Sequence, residues 1–156
     1  WDENNCFKLN DIGYKDKNNF IYIGGRSDDE INISGHRIST AEVESTTLSI
    51  SNSIWEAAAI AVPDEIMGSK LVLFYVGSKD SNITSKKLKT EIVKKLTPFH
   101  RPWKTIQINC LPKTKSGKIA RRLLRNHFIN DNQSIKQDIS TIVNYEEFRN
   151  ALKSTI

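Results

Sequence analysis

The stretches IWEAAAIAVPD, Ile54–Asp64, and LVLFYVG, Leu71–Gly77, decide the fold class of this sequence. Both are apolar runs bounded by turn signals, Pro63-Asp64 in the first and Gly77 in the second. We predict two central strands with a short connection through EIMGS, residues 65–69. Neither run approaches the roughly 20 apolar residues that a membrane-spanning helix needs, so we predict no membrane span and no membrane partner.

Further elements on both sides of these strands indicate an α+β domain. The segment TIQIN, residues 105–109, predicts a third strand. The alternation of Ile31 and Ile33 before a turn at Gly35 predicts a small hairpin. Three helices are predicted. The first begins at a capping box formed by Ser39 and Glu42 and ends at about Leu48. The second covers Ser85–Leu96, and the third runs from about Ile119 to Phe128. We therefore expect an α+β fold with a three-stranded sheet, packed helices and a C-terminal tail packed on them.

Basic residues dominate the C-terminal half of the chain. The net charge of the 156 residues is +5. Six cations follow one another without an intervening acid, namely Lys113, Lys115, Lys118, Arg121, Arg122 and Arg125. Such a run predicts an anionic ligand, either nucleic acid or a phosphorylated small molecule, and simple solvation of the charges is the remaining alternative.

The cysteines and histidines give no sign of a side-chain metal site. Cys6 and Cys110 are too far apart to suggest a metal-binding pair, and the three histidines lack ligand spacing. We interpret both cysteines as reduced thiols, and we expect a cytoplasmic protein, with the nucleus as an alternative location.

Two separated motifs carry a resemblance to a known family. They are GGRSDDEINISGHRISTAEVES, Gly24–Ser45, and LPKTKSGKIARR, Leu111–Arg122. In this order they resemble the C-terminal portion of the adenylate-forming acyl-CoA synthetases, and QDISTI, residues 137–142, favours the short-chain, acetyl-CoA synthetase-like branch. The resemblance covers nearly the whole chain. It implies that residues 1–27 end a large N-terminal adenylating domain, and that residues 28–156 form a small mobile domain with its tail.

The resemblance also implies a two-step reaction. A carboxylate attacks the α-phosphate of ATP to give an acyl-adenylate, and the thiol of coenzyme A then displaces AMP. In this family the small domain rotates against the large one between the two steps. The large domain's phosphate loop is absent from this sequence, so we expect the chain alone to be inactive in the overall reaction.

Lys118 is the candidate catalytic residue. Adenylation develops negative charge on the phosphates, and a lysine ammonium on a glycine-containing loop can be carried to that charge and withdrawn. We expect Ser116 and Gly117 to give this loop its conformational freedom. A solvated lysine on a basic helix is the ordinary alternative, which the match on both sides of Lys118 disfavours.

The resemblance assigns nucleotide and hinge roles to other residues. Asp11, where the sequence reads LND in place of the family's TGD, and Arg26 would bind the ribose of ATP, and Arg37 would meet phosphate. Asp28 matches the hinge about which the small domain rotates. Each has a structural alternative: a turn aspartate for Asp11 and Asp28, and a surface arginine for Arg26.

Coenzyme A and metal sites follow from the same resemblance. Gly35 would let the pantetheine arm pass close to the backbone and Ser34 would contact coenzyme A, although a glycine of an ordinary hairpin turn is a fair competitor for Gly35. Lys94 would bind the nucleotide phosphate of coenzyme A, with Lys95 as its rival. A main-chain cation site is predicted at Leu48, Ile50 and Ile54. Catalytic Mg²⁺ would arrive with ATP, bound mostly by the large domain.

Alternative functions remain open at this point. A nucleic-acid-binding module would explain the basic run, but aromatic stacking residues are not interleaved with the cations. A medium-chain acyl-CoA synthetase, or a ligase that delivers the acyl group to a carrier protein, would keep the same chemistry. A lysine acetyltransferase and deacetylase acting on Lys118 are further expected partners, because acetylation removes the charge of the side chain.

Overall fold

The computed structural model describes residues 11–26, 30–78, 83–130, 135 and 139–153. Seven strands are assigned in these ranges: β1 Asp11–Lys15, β2 Ile21–Arg26, β3 Glu30–Ile33, β4 His36–Ser39, β5 Ile54–Asp64, β6 Gly68–Gly77 and β7 Lys104–Gln107. The longer helices are α1 Thr40–Ile50, α2 Ser85–Lys95, α3 Arg121–Phe128 and α4 Tyr145–Lys153, and short 3₁₀ turns occupy Pro98–His100 and Ile139–Thr141.

The central sheet has the strand order β5-β6-β7, which confirms the predicted three-stranded α+β fold. Strands β5 and β6 are antiparallel, whereas β7 runs parallel to β6. Both faces of the sheet are buried. Ala58, Ile60 and Phe74 pack with side chains of α3 and α4 on one face, and alternate residues such as Ala59 and Leu73 pack with α1 and α2 on the other. Because neither face meets water, the two strands read as continuous apolar runs.

The helix starts follow local capping. The Ser39 hydroxyl accepts the Glu42 N–H at 3.4 Å, as the capping box predicts, and α1 continues two residues beyond the predicted Leu48. Helix α3 begins at Arg121, two residues later than predicted. The reason is that Ile119 forms a β-bridge with Lys113, and an extended residue cannot also start a helix.

The N-terminal strands β1 and β2 form a separate antiparallel hairpin. Its apolar side chains are largely exposed, with Ile21 at 71% and Ile23 at 68%. That residues 1–27 end a large N-terminal domain stays a prediction, and residues 27–29 at its boundary lie outside the described ranges.

The tail packs on the domain, as predicted from the sequence. Phe148 of α4 is fully buried in the cluster that contains Leu111, Leu123 and Phe74. None of the helices in the described ranges is long and apolar enough to cross a bilayer.

Candidate functional site

Lys118 lies on a tight hairpin between Lys113 and Ile119, which form its closing β-bridge. The Thr114 N–H donates to the Lys118 carbonyl at 2.9 Å, and the Lys118 N–H donates to Thr114 Oγ1 at 3.2 Å. Gly117 has a φ of +79° and donates its N–H to the Thr114 carbonyl. A side chain at Gly117 would meet no atom within 4 Å, so the backbone angle, and not space, favours glycine here.

The structure has a closed turn at Ser116 and Gly117, in which both main-chain groups of Lys118 are bonded. The conformational freedom expected of this loop stays a prediction.

The Lys118 side chain is exposed. No carboxylate lies within ion-pair distance of its ammonium among the described residues, whereas the neighbouring Lys113 pairs with Glu56. The charge of Lys118 is thus available to an external anion, which its predicted role requires.

An ion pair between Glu44 and Arg121, which was not predicted from the sequence, lies where the chain leaves this hairpin and enters α3. Glu44 of α1 is 9% exposed and accepts the Ala59 N–H from β5 at 2.8 Å. Its two oxygens also accept from Arg121, at 2.9 Å from Nε and 2.6 Å from a terminal nitrogen. This bidentate pair joins α1, β5 and the first residue of α3. A signal was present, since Thr40, Glu44 and Thr47 recur at the helical spacing of the buried face.

The Ser34–Gly35 turn joins β3 to β4, as the predicted hairpin requires. Both residues have positive φ, 50° and 85°, a pairing typical of a two-residue hairpin turn. The Gly35 N–H donates to the Asn32 side chain at 3.0 Å, and the Ser34 N–H donates to the Met67 carbonyl at 3.0 Å. The tip of the β5–β6 hairpin therefore holds this turn, and open space lies over Gly35.

Arg37 is exposed and has an acidic partner, Glu30. Its Nε donates to Glu30 at 2.5 Å, and the two groups form a salt bridge across the β3–β4 hairpin. Binding of a phosphate by Arg37 would require Glu30 to share or release the guanidinium.

The two rival lysines of α2 lie in different surroundings. Lys94 is 65% exposed and pairs with Glu91 at 2.8 Å, which lowers the pKa of that carboxyl. Lys95 donates to the Ser49 hydroxyl near the end of α1 at 3.3 Å. Both lysines are exposed, and the choice between the two stays a prediction.

A groove of about 320 Å³ lies beside the β3–β4 hairpin and was not predicted. Its lining combines cations and aromatic rings, namely Lys70, Lys89, Arg101, Phe99 and Trp103, with the apolar side chains of Ile33, Met67, Leu71, Pro98 and Pro102. Burial and the charge of Arg101 lower the pKa of Lys89, whose ammonium donates to the Trp103 carbonyl at 2.5 Å. The ring of Phe99 stacks on His36, next to Gly35, at 3.5 Å between centroids. Flat rings beside cations suit a phosphorylated heteroaromatic ligand.

The predicted ATP residues near the N-terminus are only partly described. Asp11 and Arg26 are cross-strand partners at the open end of β1 and β2, so the backbone brings these two positions together. Their side chains and the whole of Asp28, the predicted hinge, lie outside the described part of the chain.

The predicted main-chain cation site lies where α1 leads into β5. Helix α1 ends at Ile50, and β5 begins at Ile54. The Ile54 N–H donates to the Ser51 carbonyl at 3.0 Å. Leu48 is 40% exposed, whereas Ile54 is buried. The described residues contain no group of three or more His, Cys, Asp or Glu side chains placed to bind a metal. The main-chain site stays a prediction.

Comparison with known proteins agrees with this geometry. Residues 42–118 match the model of the AMP-binding enzyme C-terminal domain. The acetyl-coenzyme A synthetase of Pasteurella multocida is 39% identical over 140 residues, which cover 86% of this chain and 21% of that protein. The acetyl-coenzyme A synthetase of Chlorobaculum tepidum is 41% identical over 132 residues, which cover 82% of this chain and 19% of that protein.

The fold is also that of a solved structure. The crystal structure of ATP-bound MatB from Rhodopseudomonas palustris matches 82% of this chain and 25% of that chain, with a TM-score of 0.75 at 24% identity. The chain spans about a fifth of the length of its curated relatives. The match of residues 42–118 to the AMP-binding enzyme C-terminal domain, together with the similarity to acetyl-coenzyme A synthetases, confirms the resemblance drawn from the motifs.

Proposed function

We propose that this chain is the C-terminal part of an AMP-forming acetate–CoA ligase. The observation that carries the proposal is the exposed ammonium of Lys118, which has no ion-pair partner in the described residues and ends the family match. The identity to acetyl-coenzyme A synthetases, 39% over 140 residues, supports acetate as the substrate. Since the chain spans about a fifth of such proteins, a large N-terminal domain of the same polypeptide would supply the rest of the site.

In the first half-reaction a carboxylate oxygen attacks the α-phosphorus of ATP, and the bond to pyrophosphate breaks. Negative charge grows on the phosphate oxygens, and the ammonium of Lys118 stabilises that charge better in the transition state than in the ground state. Asp11 and Arg26 would hold the ribose, and Arg37 would reach phosphate in competition with Glu30. Mg²⁺ would enter with ATP, bound mainly by the large domain.

In the second half-reaction the sulfur of coenzyme A attacks the acyl carbon, and the bond to AMP breaks. The Lys118 hairpin and the Ser34–Gly35 turn are separate features of the domain. Rotation about Asp28 would bring first one and then the other to the active site of the large domain. Gly35 suits the second step because the space above it is open, so an extended pantetheine arm could approach the backbone. Ser34 would contact the same arm.

The cationic groove suits the nucleotide end of coenzyme A. It adjoins the β3–β4 hairpin through Ile33 and Phe99, and Lys89 and Arg101 supply positive charge around it, whereas Lys70 is paired with Asp64. Lys94 or Lys95 would provide a further phosphate contact from α2.

Two finer assignments belong to the proposal. The exposed side chain of Lys118 is accessible to an acetyltransferase, and acetylation would remove the charge that adenylation needs. We assign the enzyme to the cytoplasm, with the nucleus as the alternative, where ATP and coenzyme A are available and thiols such as Cys110 stay reduced.

The test is a substrate panel with the full-length protein. Acetate, propionate, butyrate and octanoate are each supplied with ATP, Mg²⁺ and coenzyme A, and AMP and acyl-CoA are measured. The highest kcat/KM is expected with acetate. Preference for octanoate would establish the medium-chain ligase instead, and acyl transfer only to a carrier protein would establish the other alternative.

A nucleic-acid-binding module has its own readout. An oligonucleotide that bound the chain with a steep salt dependence, while no AMP formed from any carboxylate, would overturn the ligase assignment.

A further inference from the structure

A short segment of the C-terminal tail, residues 142–144, lies against the hairpin that bears Lys118. Thr114 forms a β-bridge with Ile142, and the Val143 N–H donates to the Lys113 carbonyl at 2.9 Å. On its other side the same arm of the hairpin is bonded to the returning arm through Thr114 and Lys118. The arm that precedes Lys118 is therefore held from both sides.

The side chain of Asn144 makes two further hydrogen bonds between the tail and the hairpin. Asn144 Oδ1 accepts the Lys113 N–H at 2.8 Å, and Asn144 Nδ2 donates to the Leu111 carbonyl at 2.8 Å. The side-chain amide thus takes the place of a peptide group where the backbone turns away into α4. The main-chain carbonyl of Asn144 meanwhile accepts the Phe148 N–H at 3.0 Å, in the first turn of that helix. Asn144 joins the hairpin to a helix whose Phe148 is anchored in the core.

We infer that Asn144 is a positioning residue for Lys118, so that the tail is a working part of the adenylation site. The match to the family model ends at residue 118, and the tail lies beyond it. The inference rests on the proposed function of Lys118. It adds to that function a second residue, Asn144, which lies in the C-terminal tail and would hold the hairpin that positions the Lys118 ammonium.

The physical argument concerns how precisely the hairpin holds its residues. Hydrogen bonds within the hairpin close its tip, and the Pro112 carbonyl accepts the Ala120 N–H, whereas the Leu111 carbonyl and both main-chain groups of Lys113 bond to the tail. Loss of the Asn144 amide leaves the Lys113 N–H and the Leu111 carbonyl to find water, which loosens the arm on which the turn is built. A displacement of about 1 Å at a positioning group can lower a rate by two orders of magnitude.

The test compares three variants of the full-length protein. Asn144→Ala removes both hydrogen bonds, Asn144→Asp keeps an acceptor for Lys113 and loses the donor to Leu111, and Glu146→Ala is the matched control. Glu146 is on the same tail, has a side chain that is 75% exposed, and pairs with Arg149 of α4. Acyl-adenylate formation and thioester formation from supplied acyl-adenylate are measured separately, together with amide hydrogen exchange of residues 113–119.

The expected result for Asn144→Ala is a loss of about tenfold in the adenylation rate, with thioester formation within about twofold of the unaltered protein. Amide exchange at Thr114 and Gly117 should quicken by about the same factor. Asn144→Asp should fall between, and Glu146→Ala should match the unaltered protein. An equal loss in both half-reactions, or unchanged adenylation and exchange in Asn144→Ala, would overturn the inference.

The exchange measurement needs no catalysis. Faster exchange at Thr114 and Gly117 in a protein that adenylates no carboxylate would confirm the structural support by Asn144 while refuting the proposed function. Unchanged exchange in a protein that is an active acetate ligase would refute the support by Asn144 and leave the proposed function intact.

Discussion

Replacement of Arg121 by alanine should destabilise the domain strongly, because the substitution leaves the Glu44 carboxylate without its cationic partner. The Glu44 side chain is 11% exposed and the Arg121 side chain 32% exposed. Breaking a fully buried ion pair by removing one partner costs about 3–5 kcal/mol. About a third of the Arg121 side chain is exposed to solvent. The loss in the free energy of unfolding should therefore be smaller, about 2–3 kcal/mol.

The companion variants separate charge from packing. Glu44→Gln keeps an acceptor for the Ala59 N–H and for one guanidinium nitrogen, so its cost should be about 1 kcal/mol. The double variant Glu44→Gln with Arg121→Met removes both charges and keeps the acceptor for the Ala59 N–H, and it should be more stable than Arg121→Ala by at least about 1 kcal/mol.

Urea denaturation of the 156-residue chain measures these differences from the shift of the midpoint at constant slope. Arg125→Ala serves as the control, because Arg125 is exposed and lies one turn further along the same helix. A cost below about 0.5 kcal/mol for Arg121→Ala, or the same cost for Arg125→Ala, would refute the reasoning.

Three further predictions concern glycine geometry and pH. Gly117→Ala and Gly35→Ala should each lower the free energy of unfolding by about 1 kcal/mol, because both residues have positive φ with no atom within 4 Å of the added methyl group. Gly117→Ala should slow mainly adenylation and Gly35→Ala mainly thioester formation, and the reverse pattern would contradict the assignment. Burial and the charge of Arg149 lower the pKa of His127 from its usual 6.5, so its contribution to stability is complete above about pH 6.5 and is lost as the pH falls through the folded-state pKa. His127→Phe should flatten the pH dependence of the urea midpoint below about pH 6.5, and an unchanged slope would contradict the argument.

The sheet and its helices were predictable because their signals are local. The runs at Ile54–Asp64 and Leu71–Gly77 are apolar since both faces of the sheet are covered, and the Ser39 cap depends on a residue three positions away. The start of α3 was predicted two residues early because the bridge between Ile119 and Lys113 competes with the helix, and such pairing is invisible to helical periodicity.

The candidate site was predictable only where motifs carry it. The motif around Lys118 located the hairpin, but the partners that hold the hairpin are distant in sequence. Glu44 and Arg121 are 77 positions apart, and Asn144 is 31 positions from Lys113. The cationic groove likewise gathers Lys70, Lys89 and Arg101 from separate elements. Periodicity and spacing describe neighbours along the chain, so contacts of this kind emerge only from the fold.

The most direct test of the account is the effect of Lys118→Ala on the two half-reactions of the full-length protein, with Lys115→Ala as the control on the same hairpin. Acyl-adenylate formation should fall by about a hundredfold or more in Lys118→Ala, and thioester formation from supplied acyl-adenylate should persist. Lys115→Ala should retain both activities. An equal loss of the two half-reactions in Lys118→Ala, or adenylation that survives without this ammonium, would contradict the central claim.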